Sequence, residues 1–545
     1  MTSSTATLLG PPSVATVKRL KTTTFKPLTS VSDDHIPRKG LSENFSPTLL
    51  SSGNPCLNFF FHVVSDTSTE KLIQRLASSW SQDPLTTLKL VSNLRGVRRT
   101  GELFYTAAFW LYKNHPKTLA LNLPALVDFC YFRDLPEILY RILEGQQMDR
   151  GKIRVWRKTG PVDKVKARAL RKHREFEKAK KALRRYNSDA NYRLLFDGIA
   201  ALFADFLKSD LKYLNSNELI RLPRRMFSRD EYEGVGEAHY AYRIRDRLRK
   251  EVLVPLHKAL ELSAVSISEK GCDLLKYKRV ASVEHDREKI AAGALLPHQI
   301  IEHLKDSEFD AEVAELQWTR VVDDFGKKGK LKNSLAACDV SKSMAGTPME
   351  VCVALGLLVS EVNDEPWKGK VITLTKSPQL HIIKGSSLMK KTEFIREMKC
   401  VAHPEFPKVI DRILKFAVKN NLTNDQMIKR LFVFSDMEFY DAAANSHLNQ
   451  QEAKEKWETD YQKIQRKYRK MGLENVPELV FWNLRDSSAT PVMAKQKGVA
   501  MVSGFSKNLL TLFLEKLEKG GLINPEDVMM LAIKGEKYEK LAVYD

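Results

Sequence analysis

Cys338-Asp339-Val340-Ser341-Lys342-Ser343-Met344 is the stretch from which the chain is best read. It follows the short apolar run Leu335 to Cys338 and precedes a helical pattern opening near Gly346-Thr347-Pro348. An Asp and two Ser at spacing two, on a turn that ends a strand, can point three oxygens at one spot. Such a group suits a hard divalent cation, which takes oxygen ligands and usually keeps some water.

The residues around it repeat one pattern. Short apolar or β-rich runs stand at Ser334 to Val340, Lys370 to Thr375, Leu431 to Ser435, Glu478 to Leu484 and Val499 to Gly504. Helical patterns lie between them, at Met349 to Val362, Phe406 to Val418 and Gln451 to Met471. Continuous apolar strands alternating with helices predict a mostly parallel sheet covered on both faces, a Rossmann-like α/β domain over residues 326–545. Ligands of such sheets bind beyond the strand C-termini, where the strand order reverses. Asp339 ends the first run and Asp436 ends Phe432-Val433-Phe434-Ser435-Asp436, so two acids at two strand ends are expected to make one site.

Upstream the period is helical. Asp83-Pro84 is a helix start, with Leu85, Leu88, Val91 and Leu94 behind it and Gly96 at its end. A second pattern follows Thr100, and a third runs from Asp134-Leu135-Pro136 to Gly145. Residues 46–325 are therefore expected to form an α-helical repeat or bundle region. Within it, Arg95, Arg98 and Arg99 lie on a glycine-flanked loop ahead of a helix, where guanidiniums and free N–H groups can bind phosphate together. A solvated loop, or an Arg paired with Glu102, is the other reading.

Residues 1–45 are rich in Ser, Thr and Pro, and no acid precedes Asp33. That composition is expected to give a disordered tail, and it also fits a plastid transit peptide.

With 545 residues the chain has room for several domains, and 43% hydrophobic content is ordinary for folded protein. A net charge of +21 and a pI near 9.5 are not ordinary; they point to a polyanionic partner, nucleic acid first. Residues 150–187 hold sixteen Lys or Arg against three acids, a net +13 of the total +21. Lys166, Arg168, Arg171, Lys172 and Arg174 occupy its centre, on a helix-prone run whose apolar stripe is limited to Val165, Ala169, Phe176, Ala179 and Leu183. A helix laid along a phosphate backbone on that thin seam is one expectation, and a solvated basic helix or nuclear-localisation run is the other. The six cysteines are far apart and show no zinc-type spacing, which reads as intracellular: cytoplasm or nucleus. No apolar run is long enough to span a bilayer.

The Asp-x-Ser-x-Ser motif, the Ser-Asp after a later strand and the helical first half together resemble the plant and fungal domain-of-unknown-function proteins related to the Ro autoantigen. Those pair a TROVE-type helical region with a von Willebrand factor A (vWA) domain. The stretches carrying the resemblance include Lys289 to His298, Val313 to Trp318, Val433 to Phe439, Val480 to Arg485 and Gly498 to Ser506. The resemblance implies that Asp339, Ser341 and Ser343 are the first motif of a metal-ion-dependent adhesion site for Mg2+ or Mn2+, and Asp436 the third. It also implies an RNA rather than a DNA partner.

Two departures accompany it. Pro404 stands where the second loop should supply a Thr, so water or Glu405 must fill that place, and Lys342 replaces a small residue. If the metal is absent, Asp339 and Ser341 are expected only to cap the following helix. The spacer Glu284 to Ile290 is also short for the family, which bears on whether the helices close into a ring.

No P-loop, dinucleotide-binding glycine pattern, nucleophile elbow or H-E-x-x-H is present, so a non-enzymatic protein is expected. Its first expected role is RNA binding within a ribonucleoprotein, and its second is a scaffold whose vWA site captures an acidic residue of a protein partner.

Overall fold

The structure, a computed structural model, describes residues 39–43, 46–131, 134–145, 164–214, 250, 295–305, 308–329, 331–398, 405–439, 459–470, 476–514 and 523–545. They fall into two compact units, one drawn from 36–107 and 249–539, the other from 108–248 and 540–545. The Pro404 loop, the Glu284 to Ile290 spacer and the greater part of the expected tail lie outside the described residues.

The first unit is α/β. A short antiparallel hairpin, β1 (Lys39–Leu41) and β2 (Pro47–Leu49), precedes the sheet formed by β3 (Ser334–Cys338), β4 (Lys370–Thr373), β5 (Leu380–Ile382), β6 (Arg430–Ser435), β7 (Glu478–Asn483) and β8 (Val499–Ser503). The sheet order is β5-β4-β3-β6-β7-β8, parallel throughout except for the β5 edge. From β3 the chain steps outward to β4 on one side and later to β6 on the other, so the order reverses between β3 and β6. In register, Cys338 lies opposite Phe434, which brings the residues after both strands together at that crevice.

The two faces are covered as the apolar runs require. The helix Thr347–Glu361 is buried from Val351 through Ser360, and Gly356 lets it approach β3, because a Cβ there would stand 2.5 Å from Cys338 Sγ. The helix Phe406–Lys419 turns Phe406, Val409, Ile410, Ile413, Leu414 and Ala417 inward at helical spacing. They meet Leu335, Val433 and Phe481 in the core.

Two boundaries differ from expectation. The β1–β2 hairpin places part of the expected tail in ordered structure. The helices Pro55–His62, Thr69–Gln82 and Pro84–Gly96 pack with the sheet unit instead of with a separate helical domain ending at 325. Phe61 supplies the reason: its ring joins the sheet's core, while its carbonyl accepts from Asn483 Nδ2 at 3.1 Å. Asp83 does cap its helix, accepting from Thr86 N.

The second unit is helical. It holds Pro116–Leu121, Leu123–Leu126, Asp134–Glu144, Lys164–Ser188 and Ala190–Leu214. The chain's last residues complete it: the Asp545 carboxylate accepts from the N–H groups of Lys117 and Thr118 and from Thr118 Oγ1. Among the described residues no helix is long and apolar enough to cross a membrane.

Candidate metal centre

Asp339 leaves β3 fully buried, in the crevice between β3 and β6. Its Oδ1 accepts from Ser341 N–H at 3.0 Å and its Oδ2 from Ser435 Oγ at 2.8 Å. The Oγ atoms of Ser341 and Ser343 stand 2.9 Å apart. Asp436 follows β6, 1% exposed; its Oδ1 accepts from Glu438 N–H at 3.2 Å, and its Oδ2 has no hydrogen bond. Met437, between these acids, holds a left-handed φ of 66°, a costly backbone for a side chain without a hydrogen-bonding role.

The electrostatics are those of carboxylates held together without enough positive charge. Burial, then the neighbouring Asp436, pushes Asp339 up to about 6. Burial, then Asp436 and Glu43, pushes Glu438 up to about 7. Among the described residues the countercharge at these carboxylates is Arg485, just past β7, whose Nη1 stands 3.7 Å from Asp436 Oδ2.

These residues fit a hard cation by donor type. Every candidate ligand, Asp339, Ser341, Ser343 and Asp436, offers oxygen, and the bare buried Asp436 Oδ2 needs positive charge. Among the described residues no group of three or more His, Cys, Asp or Glu is arranged to hold a metal. A cation here would have to draw on the serine hydroxyls and on water as well as on the two carboxylates. Helix capping is not what occupies the motif: the helix Thr347–Glu361 starts at Gly346 with no side-chain cap, and Asp339 bonds within its own turn. Glu405 Oε2 is paired with Lys408 Nζ at 2.8 Å.

The arginine loop departs from the phosphate-binding expectation. Arg98 is 2% exposed, its guanidinium donating to the carbonyls of Phe60 and Val63 and to Ser503 Oγ while lying over the Phe60 ring. Arg95 is buried as well, and Arg99 is half-buried on a left-handed backbone. The loop spends Arg98 on knitting the N-terminal helices to β8.

Lys166, Arg168, Arg171, Lys172 and Arg174 all fall on the helix Lys164–Ser188, and their side chains lie outside the described residues. The expected apolar seam is not the packed face, because Phe176 and Leu183 are exposed by 56% and 61%. Lys178, Lys181 and Arg185 make the contact instead, reaching Tyr140 OH, Glu144 Oε2 and the Ile142 carbonyl on the helix Asp134–Glu144. Long basic stems can cover a neighbour while their charged heads stay wet.

Ser435, noted in sequence only as the residue before Asp436, joins this site through its bond to Asp339, and Glu438, Arg485 and Glu43 join it without having been singled out from sequence. Asp436 and Glu438 at spacing two after a strand were a usable signal, as was an Arg directly after β7 on the same sheet edge. Glu43 carried none.

Comparison with known proteins agrees with a two-part chain without assigning chemistry. Residues 333–540 match a domain of unknown function, DUF7788. Residues 42–161, 149–224 and 219–287 match another, DUF2828. An uncharacterized protein of Acanthamoeba polyphaga mimivirus is 25% identical over 518 residues, spanning 90% of this chain and 86% of its own length.

Proposed function

We propose that the α/β unit is a vWA-type interaction module in which Asp339, Ser341, Ser343 and Asp436 hold Mg2+ or Mn2+ and present it to an acidic side chain of a protein partner. The reading rests on the buried, bond-free Asp436 Oδ2 beside a second buried carboxylate at the strand-order switch. When bound, the cation supplies the charge that both carboxylates lack and an open coordination place for the partner's oxygen. Ser341 N–H and Ser435 Oγ fix the Asp339 carboxylate, and the Glu438 N–H fixes Asp436.

Thermal melting tests this. A ligand at about 100 times its Kd adds roughly 2.7 kcal/mol to the state that binds it, worth a few degrees of Tm. Mn2+ should raise the wild-type Tm over a chelator control and leave Asp339→Ala unmoved; no shift in the wild type sinks the cation site.

The helix Lys164–Ser188 favours a second, compatible activity. Lys180 and Arg184 are exposed on it, clear of the contact that Lys178, Lys181 and Arg185 make, and the densest run of basic residues continues along the same helix toward its N-terminus. This surface suits a nucleic-acid backbone, and the resemblance to Ro-related proteins favours RNA.

A further inference from the structure

The β1–β2 hairpin carries an acid into the candidate metal centre from nearly 400 positions away. Glu43 N–H donates to Glu438 Oε2 at 2.8 Å, between residues 395 positions apart in the chain. Its carboxylate Oε2 stands 3.5 Å from Arg485 Nη1, the same nitrogen that lies 3.7 Å from Asp436 Oδ2. One guanidinium therefore stands between the hairpin acid and the buried site acid. We propose that Arg485 is an internal stand-in for the cation: it holds Asp436 and Glu43 together so that the hairpin closes over the site, and a divalent cation must displace it to bind.

The inference rests on the cation reading of Asp339 and Asp436 but goes beyond it. A cation on Asp436 and a guanidinium 3.7 Å from Oδ2 repel each other, so the two compete for one carboxylate. Asp436 Oδ2 makes no hydrogen bond to Arg485 and so is the part of the site most open to exchange. Once Arg485 leaves Asp436, the Glu43 end of the hairpin is left with the Glu43 N–H on Glu438, while the β2 end stays tied by the Thr490 N–H on the Leu49 carbonyl and by Thr48 Oγ1 on the Thr490 carbonyl. Cation binding and loosening of the hairpin's Glu43 end are therefore coupled, and by reciprocity whatever loosens that end tightens cation binding. Arg485 is a positioning residue here; its own side chain is 35% exposed, but Arg485→Gln leaves the buried Asp436 carboxylate without its countercharge, which is why each variant is first shown to be folded.

The test uses the full chain in two measurements. Mn2+ titrations compare wild type, Arg485→Gln and Asp436→Asn, with circular dichroism melts to show that each is folded. Arg485→Gln should bind Mn2+ at least fivefold more tightly than wild type, and Asp436→Asn should lose binding. Hydrogen exchange of the metal-free proteins then follows the hairpin amides, with Glu43 N–H expected to exchange at least tenfold faster in Arg485→Gln. Equal Mn2+ affinity in wild type and Arg485→Gln overturns the stand-in while leaving the cation site in place. Absence of Mn2+ binding in both overturns the cation site and the competition with it. Unchanged hairpin exchange overturns the claim that Arg485 holds the hairpin closed.

Discussion

His62 ends the helix Pro55–His62 with its ring enclosed and its Nε2 3.0 Å from Thr490 Oγ1. Burial first, and then nearby Arg75, lowers it to about 3, so the ring stays neutral across the physiological range. The unfolded chain protonates this ring below about pH 6.5 while the folded chain does not. The unfolded state then binds more protons, and stability falls as pH drops from about 6.5 toward 3. Each pH unit inside that window costs about 1.4 kcal/mol for one such group. Asp339 and Glu438 act with the opposite sign, because their raised values favour proton uptake by the folded state. The difference between proteins isolates the histidine: between pH 4 and 6, wild-type stability should fall more steeply than that of His62→Gln by about 1.4 kcal/mol per unit. Denaturant unfolding at several pH values measures both slopes, and parallel slopes would show that the ring titrates alike in both states. Arg98 illustrates what sequence hides at this scale. An Arg in a glycine-flanked loop reads the same whether it faces water or is enclosed, and here its partners Val63 and Ser503 lie 35 and 405 positions away.

At the scale of elements, the five longer sheet strands were legible because each is a continuous apolar run, the mark of a strand buried on both faces. β1, β2 and β5 were not, since three residues hold too few positions to show a period. The candidate site was legible at Asp339 and Asp436 because a strand end limits where a side chain can be. Which strands are neighbours, and so that Arg485 after β7 faces Asp436 after β6, is a property of sheet order. The helix Lys164–Ser188 was legible as a helix but not in its orientation. Its sequence offered Phe176 and Leu183 as a seam, yet Arg185 makes the closer packing: it donates to the Ile142 carbonyl, pairs with Asp189 at 3.3 Å and lies over the rings of Tyr112 and Tyr192. Leu183→Gln should therefore change stability by no more than about 0.5 kcal/mol, as exposed sites do. Arg185→Ala should cost about 1 to 2 kcal/mol through lost stacking and an unpaired carbonyl. Urea unfolding of the two variants decides between the faces, and the reverse order would mean that Leu183 is covered in solution.

At the scale of the whole molecule, the charge is too uneven to be a solubility device alone. The +13 of residues 150–187 leaves only +8 for the rest of the chain, so a polyanion approaching from solution meets one strongly favourable segment. If that segment neutralises RNA phosphates, each neutralised phosphate releases a counterion, and the logarithm of affinity falls with the logarithm of salt by about 0.7 for single strands and 0.9 for duplex-like backbone. Changing Arg168, Arg171, Lys172 and Arg174 to Gln removes four charges near the segment's centre, so the slope should flatten by roughly 3 to 4 if all four reach phosphates. Affinity should fall most at low salt and converge with wild type as ionic strength rises, because screened charges contribute little in either protein. The loop arginines supply the contrast: Arg98 is committed to Phe60, Val63 and Ser503, so Arg98→Lys should leave the slope unchanged in protein that remains folded. Fluorescence anisotropy with a single-stranded and a hairpin RNA across a salt series separates the outcomes. A quadruple variant with wild-type affinity and slope would remove this helix as the RNA surface and leave the cation-dependent capture of a protein partner as the chain's remaining proposed activity.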